Sequence, residues 1–256
     1  MPYQLINYLL HLADTALIFT QRNSEWCGHG PVLEQDIAIT NISLDQLGQS
    51  RNIYQYAAEL INQSAGHPLK PATEDSLAYM RSEREYKNLL LAELPRGDWA
   101  QTVLKEFFYS VYQYLLFERL QKSTDSQVAA IAVKSLKEVT YHLRWSSEWV
   151  IRLGDGTEES HQRMLNALEE VWPYTGEMFM PAEYELATGD AGIDPSTLKN
   201  DWKNKVNEVF AEATLTLPAE NIFMHSGGKN GLHTEHMGYL LSDLQYMQRA
   251  YPNASW

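Results

Sequence analysis

ITNISLDQLGQSRNIYQYAAEL, residues 39–60, decides the fold. Its apolar positions recur every three or four residues, at Ile39, Ile42, Ile53, Tyr56 and Leu60. That spacing marks the buried face of a long α-helix. Gln46 and Gln49 fill the middle of the same stripe, three residues apart. In helical bundles that hold two metal ions, this interval carries a Glu-x-x-His pair. Two neutral amides bind such ions poorly, because the oxygen brings no charge and the nitrogen is no ligand. The segment keeps the geometry of a metal-bearing helix without its ligands.

Three other segments carry stripes of the same period. One runs Val128, Ala132, Ser135, Val139, His142, Ser146, Trp149, and another Val103, Phe107, Ser110, Tyr114, Phe117. Near the start the stripe is Tyr3, Asn7, Leu10, Asp14, Leu17, Gln21, although the opposite one (Ile6, Leu9, Ala13, Ala16) is more apolar. Strand alternation is nearly absent. The pattern predicts long helices at roughly 3–22, 32–64, 98–122 and 125–153, with others at about 74–93, 157–178, 196–215 and 234–250. Gly28, Gly30, Pro31, Gly66, Pro68, Pro95, Gly97 and Gly154 punctuate them. Thr234 reads as an N-cap, with Glu235 in the first turn. The predicted class is all-α: a ferritin-like four-helix bundle with additional C-terminal helices. A single domain over 1–256 is expected, its core bundle at about 3–153 and accessory helices at about 157–250.

Composition narrows the function. A chain of 256 residues with 44% hydrophobic content can bury a sizeable core. Its formal net charge of −13 argues against nucleic acid or an anionic membrane as partner. Cys27 is the only cysteine, so no internal disulfide forms and a cytoplasmic location is expected. The apolar start lacks a basic n-region and is interrupted by Asn7, His11 and Asp14, which reads as a core helix. No apolar run is long enough for a membrane span.

Each stripe is broken near its middle by polar residues. The di-metal template of one Glu from each of two helices and Glu-x-x-His from the others is filled here by Asp14, Gln46, Gln49, Ser110, Val139 and His142. Only Asp14 and His142 are ordinary ligands. A buried polar group left unpaired costs about 1–3 kcal/mol, so such a layer should bond within itself or to water. The bland alternative is a set of unrelated, satisfied core residues. Asp45, Glu106 and Glu138 lie one position or one turn away and could restore a metal site, giving an autonomous carboxylate-bridged oxidase. Elsewhere His233 and His236 flank Glu235 without a distant third ligand, and Cys27 with His29 has nothing to orient it into a triad. Gly227-Gly228-Lys229-Asn230-Gly231 lacks the order of a P-loop.

Three stretches carry a family resemblance: SEWCGHGPVLEQDIAITNISLDQLGQSRNIYQYAAEL (24–60), KEVTYHLRWSSEWVIRLGDGT (137–157) and GGKNGLHTEHMGYLLSDLQYMQRAYP (227–252). They resemble the phenylacetic acid degradation proteins, specifically the structural ferritin-like subunits of bacterial phenylacetyl-CoA 1,2-epoxidases. The likeness covers essentially the whole chain, including Trp256. It implies a heteromer with a catalytic ferritin-like subunit that holds the di-iron centre, together with self-association. It also implies a small coupling subunit and a reductase bearing FAD and a 2Fe-2S cluster, with NADPH as reductant. No cofactor and no catalytic residue are implied for this chain, and the six layer positions are implied to be vestigial. Lys229 is the one candidate contact to a CoA phosphate, which would make the chain a CoA-binding accessory module instead.

Aromatic residues crowd the third to fifth helices: Phe107, Phe108, Tyr109, Tyr112, Tyr114, Trp145, Trp149 and Trp172. Tyr and Trp are favoured at protein interfaces. Helices one to four are therefore expected to expose a broad apolar-aromatic surface that packs against a like bundle, the alternative being an enlarged internal core assisted by helices five to seven.

Overall fold

In the computed structural model, residues 2–219, 221–252 and 254 are described; Trp256 lies outside them. The helices in chain order are α1 Pro2–Ser24, α2 Leu33–Gln63, α3 Glu74–Tyr79, α4 Leu90–Glu93, α5 Trp99–Leu120, α6 Ser126–Gly154, α7 Glu158–Val171, α8 Glu183–Ala187, α9 Lys199–Glu212 and α10 Glu235–Ala250. No strand occurs among the described residues. The chain is all-α and divides into two compact units, Met1–Pro95 with Gly227–Trp256, and Arg96–Ser226. Each contains one pair of long helices joined by a short loop, the element from which ferritin-like bundles are made.

In the first unit α1 packs along α2. From Tyr8 to Thr20 nearly every side chain of α1 is buried, so both of its stripes face protein. On α2 the buried face runs Ile39, Ile42, Gln46, Gln49, Ile53, Ala57 and Ile61. It drifts from the predicted register at its end: Tyr54 is buried and Tyr56 is half-buried, as a helix of 3.6 residues per turn must drift against a heptad. Burial of each isoleucine contributes about 1.5–3 kcal/mol. No side chain caps the start of α2. Asp36 reaches back instead and accepts from the N–H groups of Gly28 and Gly30, at 3.2 and 2.8 Å. Those two bonds hold its carboxyl below the usual range. Gly30 is required here, because a Cβ would lie 2.7 Å from the Asp36 backbone.

The helix expected over 74–93 is broken. Thr73 caps α3 through a capping box, and an extended stretch then runs to α4. The backbone of that stretch bonds to α1 side chains in place of its own ladder. Asp14 accepts from the N–H of Lys87, His11 donates through Nδ1 to the Lys87 carbonyl, and Thr15 accepts from the N–H of Leu89. At the far end of the unit α10 begins at Thr234, whose hydroxyl accepts from the N–H of His236, as the capping signal predicted.

In the second unit α5 packs against α6 and α7. Asp98 caps α5 through a capping box with Gln101, and Asp125 caps α6. Most of α5 is buried on all sides, including Phe107, Phe108, Tyr109 and Tyr112. The expected aromatic docking surface on these helices is therefore corrected. Phe108 packs against Trp172, Trp202 and Phe210, and Tyr112 against Phe179. The short elements after α7 turn these rings into an internal core. The helix expected over 157–178 ends at Val171, because Pro173 cannot continue the ladder.

Candidate functional site

The residues expected to form a polar layer fall on α1 and α2 in the first unit and on α5 and α6 in the second. All six are buried. Asp14 is fully enclosed, and its carboxylate is saturated. One oxygen accepts from the Tyr54 hydroxyl and Arg81 Nη2, and the other from Arg81 Nη1 and the N–H of Lys87. An ionised carboxylate offers about four acceptor sites, and all are taken. Arg81 is equally satisfied: Nε donates to the Leu77 carbonyl, Nη1 also to Glu85 and Nη2 also to Tyr54, so every guanidinium N–H has an acceptor. Burial alone would lower the pKa of Arg81, but the Asp14 carboxylate, together with Tyr54 and Tyr86, raises it. Tyr54 is pushed well above its ordinary value by burial and by the same carboxylate. Arg81 also lies over the Tyr86 ring, 4.2 Å from its centroid.

Gln46 accepts from the Asn23 amide at 3.1 Å, and Gln49 is buried beside it on the same face of α2. In the second unit Ser110 donates to Glu106 at 3.0 Å. Val139 and His142 are fully buried on α6. Of the off-stripe acids, Glu106 is fully buried, while Asp45 and Glu138 are partly open to solvent. Among the described residues no three His, Cys, Asp or Glu side chains come together in a way that could hold a metal ion. These residues do not fit a di-iron centre. The single buried acid on α1 is neutralised by arginine, and the α2 positions are amides.

Two further networks lie in the same unit. His11 is buried, and its pKa falls to about 3, through burial first and then the charge of Lys229. It is neutral, with its proton on Nδ1 toward the Lys87 carbonyl 2.6 Å away. Glu93 is also saturated. One oxygen meets His233 Nδ1 at 2.6 Å and the Asn88 amide at 2.8 Å, and the other accepts from the Thr234 N–H and hydroxyl. Burial alone would lower the pKa of His233, but the Glu93 bond and charge raise it. His233 is thus a clasp between α10 and α4, and the metal reading of the His233–His236 pair does not hold. Arg81, Tyr54 and Glu93 were missed from sequence. Arg81 lies in a non-periodic stretch, where nothing marks it as buried.

Lys229 is 3% exposed. The turn around it is pressed onto the extended stretch: a Cβ at Gly228 would lie 2.2 Å from the Asn88 carbonyl, and one at Gly231 2.3 Å from that of Arg84. Gly231 also holds φ at +77°, where glycine is favoured. A side chain with so little surface offers a phosphate group nothing to grip from outside. The glycines serve the close approach of two backbones.

His11 and His233 set opposite pH dependences. Because the folded pKa of His11 is depressed, the unfolded chain takes up a proton between about pH 6.5 and pH 3 that the native state does not. Stability contributed by neutral His11 is lost as pH falls through that window, by up to about 1.4 kcal/mol per pH unit. His233 has a raised pKa, so its contribution is present at low pH and fades as pH rises through that value. Urea unfolding between about pH 6.5 and pH 5 checks this, with His11→Gln expected to flatten the acid slope there.

An all-α chain built on bundle-type helix pairs defines a class: a ferritin-like protein. The family model described as phenylacetic acid catabolic protein matches residues 2–256. The chain is 45% identical over 255 residues to one of the subunits of the 1,2-phenylacetyl-CoA epoxidase of Escherichia coli (strain K12), covering 99% of each chain. The chain belongs to the phenylacetic acid catabolic protein family. No helix among the described residues is long and apolar enough to cross a membrane.

Proposed function

We propose that this chain is the structural, non-catalytic subunit of a multicomponent di-iron monooxygenase that epoxidises the ring of phenylacetyl-CoA in phenylacetate breakdown in the cytoplasm. The chemistry lies in a partner. A catalytic ferritin-like subunit holds the di-iron centre and the substrate, a small coupling subunit joins them, and a reductase with FAD and a 2Fe-2S cluster delivers electrons from NADPH. This chain holds the catalytic subunit in place.

One helix carries the proposal. The buried face of α2 presents amides where ligands are needed, and its other face is an apolar seam left in solvent. Leu33, Ile37, Leu44 and Leu47 are 72, 52, 61 and 38% exposed. With Thr40 they are spaced four, three, four and three residues apart, the heptad interval of a helix that packs against another helix. Single exposed leucines are ordinary, but a continuous stripe marks an interaction surface. The relative's designation as one subunit of an epoxidase supports a heteromeric partner for it. Tyr239 and Tyr246, 76 and 65% exposed and one heptad apart on α10, suit self-association.

The test is co-expression with a ferritin-like subunit that retains both Glu-x-x-His motifs. Stable co-purification through size exclusion is expected. Failure of the two chains to associate at micromolar concentration overturns the proposal.

A further inference from the structure

The outer face of α6 is cationic in an acidic chain. Lys134, Lys137 and Arg144 are exposed on it. Val133 and Tyr141 lie beside them, 45 and 38% exposed. Lys134, Lys137, Tyr141 and Arg144 are spaced three, four and three residues apart, the interval that keeps side chains on one face of a helix. From Lys134 to Arg144 the helix rises about 15 Å. The opposite face of α6 is the buried one, running from Val128 to Val150, and the helix packs on α5, α7 and α9.

Asp and Glu outnumber Lys and Arg by 33 to 20, so three cations on one stripe should find carboxylates close by. Lys134 and Lys137 nevertheless form no ion pair among the described residues. Arg144 forms none either, and its guanidinium rests over the Tyr141 ring, 5.7 Å from the centroid. Two acids of α6 flank the stripe. Glu138 is half-buried at its edge, and Glu148 faces Arg152 at 4.0 Å. A solvated helix face ordinarily alternates both signs along its length. This one gathers a single sign around a tyrosine, a residue favoured at protein interfaces.

We propose that this face docks an acidic helix of a partner protein. Carboxylates of that helix, at the same three- and four-residue intervals, lie opposite Lys134, Lys137 and Arg144, and its apolar positions meet Val133 and Tyr141. Charge complementarity of this kind steers encounter and sets register more than it adds affinity. The contact is therefore salt-sensitive and readily reversed. A nucleic acid suits the face poorly, because three cations on a chain of net charge −13 leave a phosphate backbone largely repelled. The inference rests on α6 alone and stands whether or not the chain has the subunit role proposed above.

Calorimetry of the full chain tests it, with a stapled helical peptide as probe. The peptide carries glutamates three, four and three residues apart, and a scrambled peptide of the same composition is the control. Saturable binding with a Kd of about 10–100 µM is expected at low salt. It should weaken about tenfold or more between about 50 mM and about 500 mM sodium chloride. The scrambled peptide should bind at least about tenfold more weakly. Lys134→Glu with Lys137→Glu and Arg144→Glu should abolish binding of the glutamate peptide and create binding of its lysine counterpart. Lys137→Gln with Arg144→Gln, a milder change on the same exposed face, should weaken the glutamate peptide about tenfold. No saturation below about 1 mM, equal affinity for the scrambled peptide, equally tight binding of a short oligothymidylate, or full affinity in both variants would each overturn the proposal. A dimer of the chain alone that dissolves in the variants would also overturn it, since the occupant would then be a second copy.

Discussion

Replacing Arg81 with alanine should lower the unfolding free energy by about 3–5 kcal/mol, the range for breaking a buried ion pair by removing one partner. The magnitude follows from what the substitution leaves behind. Asp14 is completely enclosed, and Arg81 supplies two of its four hydrogen bonds and the only full positive charge bonded to it. Without the guanidinium, the carboxylate must stay charged in a dry site or take up a proton. Arg81 also donates to the Leu77 and Glu85 carbonyls and so closes the turn between α3 and the extended stretch. Removing both charges with residues of similar volume, Asp14→Leu with Arg81→Met, should recover part of the loss, since apolar replacement of a buried pair is often close to neutral. Urea denaturation of the two single variants and the double variant measures this. A loss below about 1 kcal/mol for Arg81→Ala would mean that the pair is wet and weak.

The second large effect concerns association. Leu44→Glu with Leu47→Glu places two charges in the centre of the α2 seam, where a packed interface would have to bury them unpaired. Affinity for the catalytic subunit should fall by about 100-fold or more, in line with the loss of central interface anchors. Both side chains face solvent in the isolated chain, so its melting temperature should barely change. Surface plasmon resonance measured beside thermal unfolding separates the two readouts. Undiminished affinity would remove α2 from the interface.

Much of this was legible in the sequence because apolar periodicity survives translation into structure. The α2 stripe runs as expected from Ile39 to Ile53, and α6 keeps its heptads from Val128 to Ser146. At Gln46, Gln49 and Val139 residue type alone gives poor donors or none, which needs no coordinates to see. Asp14 was different. As a residue type it remained a possible ligand, and only its partners show that it is consumed by arginine. Arg81 lies 67 residues away in a stretch with no period to place it, and Tyr54, 40 residues away, lies on α2 where the predicted stripe put Tyr56 instead. The helix expected over 74–93 failed for the same reason: its local propensity was overridden by side chains of α1. The aromatic residues of α5 misled because a buried core and a protein interface draw on the same chemistry. Periodicity marks the face they occupy but not what covers it.

The central claim is that this chain keeps a bundle's geometry and leaves the metal chemistry to its partner. Metal analysis of the purified full chain after anaerobic loading with ferrous ion tests it most directly. The account predicts below about 0.1 iron per chain and no oxo-bridge absorption on exposure to oxygen, while a catalytic subunit treated in parallel takes up about two. Stoichiometric iron near two per chain, with that absorption, would contradict it and restore an autonomous oxidase built on Glu106 and its neighbours.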